Sequence, residues 1–363
     1  MARRAFALLA SVGLLMAGAI PATAANINSQ NSFVVTNLQS DVPGRALHTD
    51  PDLVNGWGIA ARPTSPWWVA DNGTHRSTLY NGNTGLKVTT VIVDIAGNGG
   101  PGDPTGIVAN PSTQFGITGS SGVTGPASFI FDGEDGTVSA WNGGSTSVVK
   151  ATSPDGAIYK GLAVGSVGAN SYLYATDFHN ARVDVYNGTF TLQHWAGAFV
   201  DPGIPAGYAP FGIQNLAGQI FVTYAKQDAD AEDEIAGPGF GYVSVFGTDG
   251  SFQGRVASGG DLNAPWGLAM APAGWERFGG HLLIGNFGDG RINGYRASGG
   301  AWEARGHLKA PNHQPIEIDG LWGIGFGNNN GVNNGGAGPT TTLFFAAGPD
   351  DETHGLFGSI SAP

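Results

Sequence analysis

Four carboxylate or amide side chains stand where predicted strands begin or end, and their oxygen atoms are the ligands that a hard cation prefers. Asn55 and Asp103 precede predicted strands, whereas Asp177 and Asn286 end predicted strands in two other parts of the chain. A cation such as Ca²⁺ often takes such oxygens from separate loops. The sequence therefore predicts a central site for Ca²⁺ or another divalent cation, with these four residues as its ligands.

A second set of polar side chains has the chemistry for proton transfer beside such a cation. His75 and His179 follow predicted strands, and each is a candidate general base. Lys160 precedes a predicted strand and is a candidate to stabilise a developing oxyanion. No pair of histidines has the spacing of a local zinc motif. These residues predict a metal-dependent hydrolase or lyase, lactonase-like or esterase-like, that acts on a small molecule.

Aromatic residues stand directly before several of the glycines that begin predicted strands. Trp57, Phe211, Trp266 and Trp322 occupy this position, and Tyr224 ends a neighbouring predicted strand. Together they would form an aromatic-lined mouth suited to an apolar, aromatic or sugar ligand, so they are candidate substrate-binding residues. Two alternatives remain open. The rings pack between elements of the fold, or the chain is a non-catalytic module or scaffold that binds a glycan, a peptide or an envelope partner.

An internal repeat indicates which elements position these residues. A glycine followed by Ile or Leu recurs roughly every 50 residues. These glycines are Gly58, Gly106, Gly161, Gly212, Gly267 and Gly323. Each begins a short β-branched or aromatic run, and two similar runs follow it across Gly- and Asn-rich turns, a pattern typical of strands and hairpins. Because the innermost strands of a radial repeat converge on an axis, we expect glycine to be needed where a Cβ atom would collide.

A fourth strand per repeat is found between repeats, except after the sixth, and residues 32–38 at the start of the chain supply the missing one. The sequence therefore predicts an all-β fold, a six-bladed β-propeller with four-stranded blades whose ring is closed by the N-terminal strand completing the last blade. The predicted blades span about 53–95, 104–151, 159–195, 209–256, 264–308 and 320–360, within one domain of residues 25–363. Two Gly-, Ser- and Asn-rich stretches, Asn110–Ala127 and Gly327–Thr341, are predicted to be flexible.

Residues 1–24 have the pattern of a secretory signal peptide. Arg3 and Arg4 precede an apolar run, and Ala22-Thr23-Ala24 offers a cleavage site. We therefore expect an exported protein of the periplasm or the extracellular space, with Sec and twin-arginine export both open. No other apolar run is long enough to span a membrane, so no membrane span is expected.

The composition excludes several classes of function. The chain has 28 acidic against 16 basic residues and a formal net charge of −12, which argues against nucleic acid as a partner. It has no cysteine, which excludes disulfides and thiolate metal sites. The sequence has no P-loop or dinucleotide fingerprint, so neither a nucleotide nor a flavin cofactor is indicated. A monomer that acts on a small molecule or a glycan is expected.

Several phrases of the repeat resemble known propellers. Trp68–Arg76, Tyr174–Val183 and Ile284–Ile292 resemble NHL-type repeats. Over its mature length the chain also resembles an uncharacterised family of exported bacterial propeller proteins, through phrases such as Phe221–Asp228 and Asn263–Leu268. The resemblance implies a propeller and export, and it brings no catalytic residues. Six-bladed relatives include calcium-dependent lactonases of the gluconolactonase type and metal-dependent lyases, whose ligand motifs have no match here, so this part is analogy of fold.

Overall fold

The computed structural model of the chain describes residues 30–89, 91–328 and 336–363, so the predicted signal peptide at residues 1–24 lies outside the described residues. This part consists of β-strands and two short 3-10 helices, Asn72–Thr74 and Glu276–Phe278. In chain order the strands are β1 (Val34–Ser40), β2 (His48–Thr49), β3 (Gly56–Ala60), β4 (Trp67–Asp71), β5 (Arg76–Tyr80), β6 (Val93–Asp94), β7 (Pro104–Ala109), β8 (Gly116–Thr118), β9 (Thr124–Pro126), β10 (Phe129–Gly133), β11 (Thr137–Trp141), β12 (Val148–Thr152), β13 (Tyr159–Val167), β14 (Asn170–Asp177), β15 (Arg182–Asn187), β16 (Leu192–Gln193), β17 (Tyr208–Leu216), β18 (Gln219–Gln227), β19 (Glu234–Ile235), β20 (Tyr242–Gly247), β21 (Phe252–Ser258), β22 (Pro265–Met270), β23 (Leu282–Asn286), β24 (Ile292–Ser298), β25 (Ala301–His307), β26 (Leu321–Phe326), β27 (Leu343–Ala347) and β28 (Leu356–Ser361). Within the described ranges no helix is long and apolar enough to cross a membrane.

Most of these strands belong to six antiparallel sheets, one for each predicted repeat. The strand orders are β3-β4-β5-β6, β7-β10-β11-β12, β13-β14-β15-β16, β17-β18-β20-β21, β22-β23-β24-β25 and β26-β27-β28-β1. We number these blades 1 to 6 in that order, with the first-named strand innermost. The inner strands contact one another around a closed ring, from β3 through β7, β13, β17, β22 and β26 back to β3. The predicted six-bladed propeller with four-stranded blades is confirmed.

The ring is closed by a strand from the start of the chain. β1 pairs antiparallel with β28, so that Val34 lies opposite Ser361 and Ser40 lies opposite Leu356. β2 adds a short parallel pair to the outer edge of β1. Arg45 and Asp350 form an ion pair of 2.5 Å across the same junction. The prediction that the N-terminal strand completes the last blade is confirmed.

One glycine on each inner strand lets neighbouring blades approach closely. A Cβ atom on any of them would lie 2.9 Å or less from a main-chain atom of the next inner strand around the ring. Main-chain atoms in a hydrogen-bonded strand cannot rotate away as a side chain can, so only glycine fits without pushing the blades apart. The set comprises Gly58, Gly106, Gly161, Gly212, Gly267 and Gly323. The expected packing role of these glycines is confirmed.

Each interface between adjacent blades has its own hydrophobic core. In the core between blades 5 and 6, for example, Leu283 and Phe345 are both fully buried. Burying one such side chain contributes about 1.5–3 kcal/mol. A seventh cluster, mainly aromatic, lies on the propeller axis. Stability is therefore distributed around the ring, and the ring holds the turns at its ends in fixed positions.

One stretch that was predicted to be flexible is packed instead. The chain between β7 and β10 forms the hairpin β8–β9. Phe115 and Ile117 from this stretch are buried in the core between blades 2 and 3. Of the second such stretch, Gly327–Thr341, residues 329–335 lie outside the described residues.

Candidate functional site

Polar side chains from five blades form a hydrogen-bonded network around the axis, at the face where the inner strands begin. We call this end the top face. Asn55 Nδ2 of blade 1 donates to Glu352 Oε2 of blade 6 at 2.6 Å and approaches Asn72 Oδ1 at 3.4 Å. Asn72 Nδ2 then donates to Glu134 Oε2 of blade 2 at 2.9 Å. We name the whole set the axial arc, and its members are Glu352, Asn55, Asn72, Glu134, Lys160 and Asp233.

Lys160 joins the two halves of the axial arc. Its Nζ donates to Glu134 Oε1 at 2.6 Å and to Asp233 Oδ1 of blade 4 at 3.0 Å. The side chain is almost fully buried, and its Nζ lies 5.3 Å from the ring centroid of Trp57 and 6.0 Å from that of Phe178. Burial opposes the charge, but the surrounding carboxylates, Glu134 first among them, raise the pKa of Lys160 above its ordinary value. Lys160 is therefore a permanent cation at the top of the axis.

Two carboxyl groups of the same region have raised pKa values. Burial raises the pKa of Glu234 to about 8, although the charge of Lys160 acts in the opposite direction. Burial also raises the pKa of Glu352, helped by the charge of Glu134 and opposed by the hydrogen bond from Asn55. Glu234 is therefore largely protonated at neutral pH. One cation is thus surrounded by more carboxyl groups than it can neutralise.

The acidic connection between β18 and β20 brings Asp233 and Glu234 to the axis. β19 pairs with the end of β18, with Glu234 opposite Gln227. This pairing turns the connection back toward the ring, and on its outer side His179 Nδ1 lies 3.2 Å from the carbonyl oxygen of Ala231. The side chain of Asp233 is 75% exposed and that of Glu134 is 29% exposed, so solvent reaches the cluster from above.

A plug of aromatic rings fills the axis below Lys160. Trp322 stacks on Trp57 with ring centroids 3.6 Å apart and on Phe287 at 4.1 Å. Trp266 and Phe211 contact the ring of Trp322 edge-on, at 5.8 Å and 5.7 Å. Trp57, Phe211 and Trp322 are buried and Trp266 is half-buried. These four predicted substrate-binding residues therefore come together as the floor of the site, in a packed arrangement rather than as an open mouth.

The plug also orients main-chain and side-chain groups of the axial arc. Trp266 Nε1 donates to the carbonyl oxygen of Lys160 at 2.7 Å, and Trp322 Nε1 donates to Asn55 Oδ1 at 3.1 Å. Below the plug, a narrow cavity of about 20 Å³ follows the axis. Tyr224, the fifth predicted substrate-binding residue, lies elsewhere, against a groove between blades 3 and 4.

The predicted metal ligands are placed in separate turns. The oxygen of Asn55 accepts the indole N–H of Trp322, and Asn286 Nδ2 donates to the carbonyl oxygen of Asp261 at 2.8 Å. Asp103 pairs with His75 at 2.9 Å. In the described chain no hydrogen bond joins any two of the four predicted ligands.

The fourth predicted ligand, Asp177, also has partners within its own turn. It accepts a hydrogen bond from the main-chain N–H of Asn180 at 3.0 Å and lies 3.1 Å from Arg182 Nη2. Among the residues that the structure describes, no three His, Asp or Glu side chains are grouped to hold a metal ion. In this conformation the four side chains do not form a ligand set, and the divalent cation stays a prediction.

The three predicted catalytic residues lie in different surroundings. Lys160 is at the centre of the axial arc. His179 is exposed at the rim, beside the acidic connection of blade 4. His75 lines a separate cavity of about 390 Å³ between blades 1 and 2, where its Nδ1 lies 3.0 Å from the carbonyl oxygen of Gly102. Of the three, only Lys160 is in the axial arc.

Four acidic residues of the site were not among the predicted site residues: Glu134, Asp233, Glu234 and Glu352. Each lies between the second and third strands of its blade, where an acidic residue is usually solvated. The sequence signal for these residues was their position between the second and third strands, because these turns share one face in a propeller. That signal does not show which of many acidic residues lean toward the axis.

Asp132, at the end of the second strand of blade 2, provides a test of how burial acts on carboxyl groups at this face. Its Oδ1 accepts hydrogen bonds from Gly106 N at 2.7 Å and Thr105 Oγ1 at 3.1 Å, whereas its Oδ2 has no partner among the described residues. Burial raises its pKa from 3.8 to about 7. A raised pKa stabilises the folded state below the unfolded pKa, and this contribution is lost as the pH rises through about 7.

We therefore expect Asp132→Asn to gain stability relative to the wild type as the pH rises from about 4 to about 8. The gain in the free energy of unfolding should approach about 4 kcal/mol, since one pKa unit corresponds to about 1.4 kcal/mol. Urea unfolding at several pH values measures it. Asp249→Asn is the matched control, because hydrogen bonds from Ser251 lower the pKa of Asp249 and reverse the expected trend. Parallel pH profiles for Asp132→Asn and the wild type would contradict the prediction.

Comparison with known proteins gives relatives of both sequence and fold. The chain is 34% identical over 306 residues to the uncharacterised protein R648 of Acanthamoeba polyphaga mimivirus, covering 81% of this chain and 73% of that protein. The soluble aldose sugar dehydrogenase of Escherichia coli in its apo-form has a similar structure, with a TM-score of 0.52, 12% identity and coverage of 92% of this chain and 100% of that chain. Virginiamycin B lyase of Staphylococcus aureus with quinupristin has a TM-score of 0.50, 12% identity and coverage of 92% and 99%. At such identities these two structures show the propeller fold alone.

No protein-family model matches the chain. The resemblance to NHL-type repeats and to exported bacterial proteins is therefore not confirmed by these comparisons. At the level of sequence, they show a relationship to the viral protein R648.

Proposed function

We propose that the axial arc of this chain, which belongs to the same family as the mimivirus protein R648, is an acid–base catalytic centre. The observation that carries the proposal is the permanent cation Lys160 among carboxyl groups, two of which have raised pKa values. Carboxyl groups whose environments push their pKa values apart can serve as acid and base in one site. Ionisable groups with strongly shifted pKa values are concentrated at functional sites.

The proposed reaction is of the hydrolase or lyase type. Glu134 takes a proton from water or from a carbon next to a carbonyl group, and Lys160 stabilises the negative charge that forms on the carbonyl oxygen. Glu352 donates a proton to the leaving group as its bond to the substrate breaks. Glu134 and Glu352 are both linked to the same arc by hydrogen bonds, which holds acid, base and cation in fixed relative positions.

The charge of the site favours a neutral or cationic small molecule. Lys160 is the one basic side chain in the axial arc, and its Nζ already donates to two carboxylates, those of Glu134 and Asp233. A further anion would be repelled by these groups and by the formal net charge of −12. Neutral lactones, esters and β-substituted carbonyl compounds meet this requirement and contain bonds that such a centre can break.

A panel of these three substrate classes, assayed with the purified protein across a range of pH, tests the proposal. We expect turnover of one class with a rate that falls as the pH rises through the raised pKa of Glu352, because the general acid loses its proton there. Glu352→Gln and Lys160→Met should each lower kcat by at least about 100-fold, the usual contribution of a general acid or an oxyanion-stabilising group.

Glu303→Gln is the control for this assay. Glu303 lies on β25, the outer strand of blade 5, and pairs with Arg305. In that sheet β25 is at the opposite edge from the inner strand β22, and so it is far from the axial arc. Its substitution should leave kcat and KM unchanged. Turnover that is unchanged in both Glu352→Gln and Lys160→Met would overturn the proposal. So would the absence of turnover of all three substrate classes by the wild type.

The divalent cation and the export of the protein are separate proposals. Asn55, Asp103, Asp177 and Asn286 would have to leave their present partners to bind Ca²⁺, so no step of the proposed reaction is assigned to a metal. Elemental analysis of the purified protein before and after chelation tests the cation. About one ion per chain would support a metal site. If no stoichiometric ion is found, Lys160 is the cation that acts in the catalytic centre.

The export of the protein is tested by fractionation of the source cells.

A further inference from the structure

A cavity lies away from the axial arc, between blades 3 and 4. Its volume is about 630 Å³, which is in the range of small-molecule sites. Residues of both blades and of the chain that connects them line it, including Trp195, Tyr208, Tyr224 and Gln227. We call it the blade 3–4 groove.

The groove exists because the outer edge of blade 3 is short. β16 has two residues, whereas the outer strand of blade 4 has seven. After β16 the chain runs from residue 194 to 207 without a strand and folds back over the interface. Phe199 fixes this segment, because its ring is buried against Tyr174 and Phe246 with centroids 5.2 and 5.5 Å away.

Several polar groups at the groove have no hydrogen-bond partner among the residues that the structure describes. The hydroxyl of Tyr224 is buried and makes no hydrogen bond with a described residue. The neighbouring hydroxyl of Ser244 donates to Asp201 at 2.6 Å instead. The indole N–H of Trp195 and the hydroxyl of Tyr208 also lack partners within the described chain. A buried hydroxyl without a partner loses about 1–3 kcal/mol relative to one that is hydrogen-bonded, so a ligand that binds it would gain that energy.

Charged groups at the groove are held in fixed orientations. Arg182 Nε donates to Asp184 Oδ1 at 2.7 Å, and the hydroxyl of Tyr159 donates to Asp184 Oδ2 at 2.8 Å. Asp201 pairs with Arg255 at 2.7 Å. These groups are already paired, so they can orient a neutral polar ligand without needing an opposite charge from it.

We propose that the blade 3–4 groove binds a neutral oligosaccharide. Sugar hydroxyls both donate and accept hydrogen bonds, which matches the free Tyr224 and Tyr208 hydroxyls and the indole N–H of Trp195. The apolar face of a sugar ring stacks on an aromatic ring, and the rings of Trp195 and Tyr208 are half-exposed at the groove. The groove is separate from the catalytic centre proposed above and stands without it.

Binding of cellobiose, maltose and N,N′-diacetylchitobiose, measured by calorimetry with the full protein, tests this inference. We expect one of the disaccharides to bind. Tyr224→Phe should weaken that binding by about tenfold, because it removes one hydrogen bond to a buried hydroxyl and keeps the ring. Trp195→Ala should weaken it more, because it removes the stacking surface.

Two further variants keep the test decisive. Trp195 also contacts Tyr172, with ring centroids 4.8 Å apart, so Trp195→Phe retains part of the packing if Trp195→Ala fails to fold. Glu352→Gln should bind the disaccharide as the wild type does, even where it abolishes turnover. No binding of any disaccharide, equal binding by Tyr224→Phe and the wild type, or binding only of the cationic dipeptide Lys-Lys would overturn the inference.

Discussion

Replacing Gly212 with alanine is expected to lower the free energy of unfolding by about 3 kcal/mol, the upper range for overpacking in a tightly packed interior. The added Cβ atom would collide with the main-chain carbonyl of Trp266 on the next inner strand. The collision is relieved only by moving blades 4 and 5 apart, which would also displace Trp266 from the aromatic plug. Urea or thermal unfolding measures the loss.

Gly116→Ala is the matched control for Gly212→Ala. Gly116 lies on β8, and a Cβ atom there would meet nothing within 4 Å. Its substitution should change stability by no more than about 0.5 kcal/mol. An equal loss in both variants would show that glycine acts at these positions through strand propensity, and not through the close approach of two blades.

Replacing Lys160 with methionine is expected to cost about 2 kcal/mol of stability at pH 8, because it removes charge-assisted hydrogen bonds from a buried ammonium group to two partly exposed carboxylates. Methionine keeps the apolar contacts with Trp57 and Phe178 but leaves Glu134 and Asp233 without their cation. Without the ammonium group the raised pKa values of Glu234 and Glu352 would rise further, because the charge of Lys160 lowers both. The loss should therefore shrink as the pH falls toward 5, where more of these groups are protonated.

Lys150→Met tests whether the charge network is the cause. Lys150 also lies over an aromatic ring, with its Nζ 5.7 Å from the centroid of Phe190, but it is exposed on the outer strand of blade 2. We expect its substitution to leave stability unchanged within about 0.5 kcal/mol at both pH values. Proteolysis within residues 228–239 should be faster in Lys160→Met, because the blade 4 connection loses the ion pair between Asp233 and Lys160. A pH-independent loss in Lys160→Met would contradict this explanation.

The ring architecture could be predicted from the sequence because its signals are local and repeated. A glycine on the inner strand, such as Gly212 within β17, must be present in every blade for the strands to converge. The outer strands were less predictable: residues 190–194 have a strand pattern, but β16 is Leu192–Gln193. An outer strand pairs on one side only, so its length depends on the neighbouring blade and on the connection that follows.

The candidate site could be predicted only in part. Lys160 is identified because it directly precedes Gly161 near the start of an inner strand, where the inner strands converge. Glu352 and Glu234 carry no such signal, because their contacts depend on how turns of different blades lean across the ring. Burial, which determines their pKa values, is likewise a property of the assembled ring.

The pairing of Val34 with Ser361 also determines the order in which the molecule can be completed during synthesis. The ribosome makes β1 before any of the blades, and β1 must remain unpaired until β28 emerges near the other end of the described chain. Blades 1 to 5 can form as their strands appear, because the strands of each follow one another closely. Blade 6, which supplies Glu352 to the axial arc, is finished last, so the site is complete only when the ring is closed.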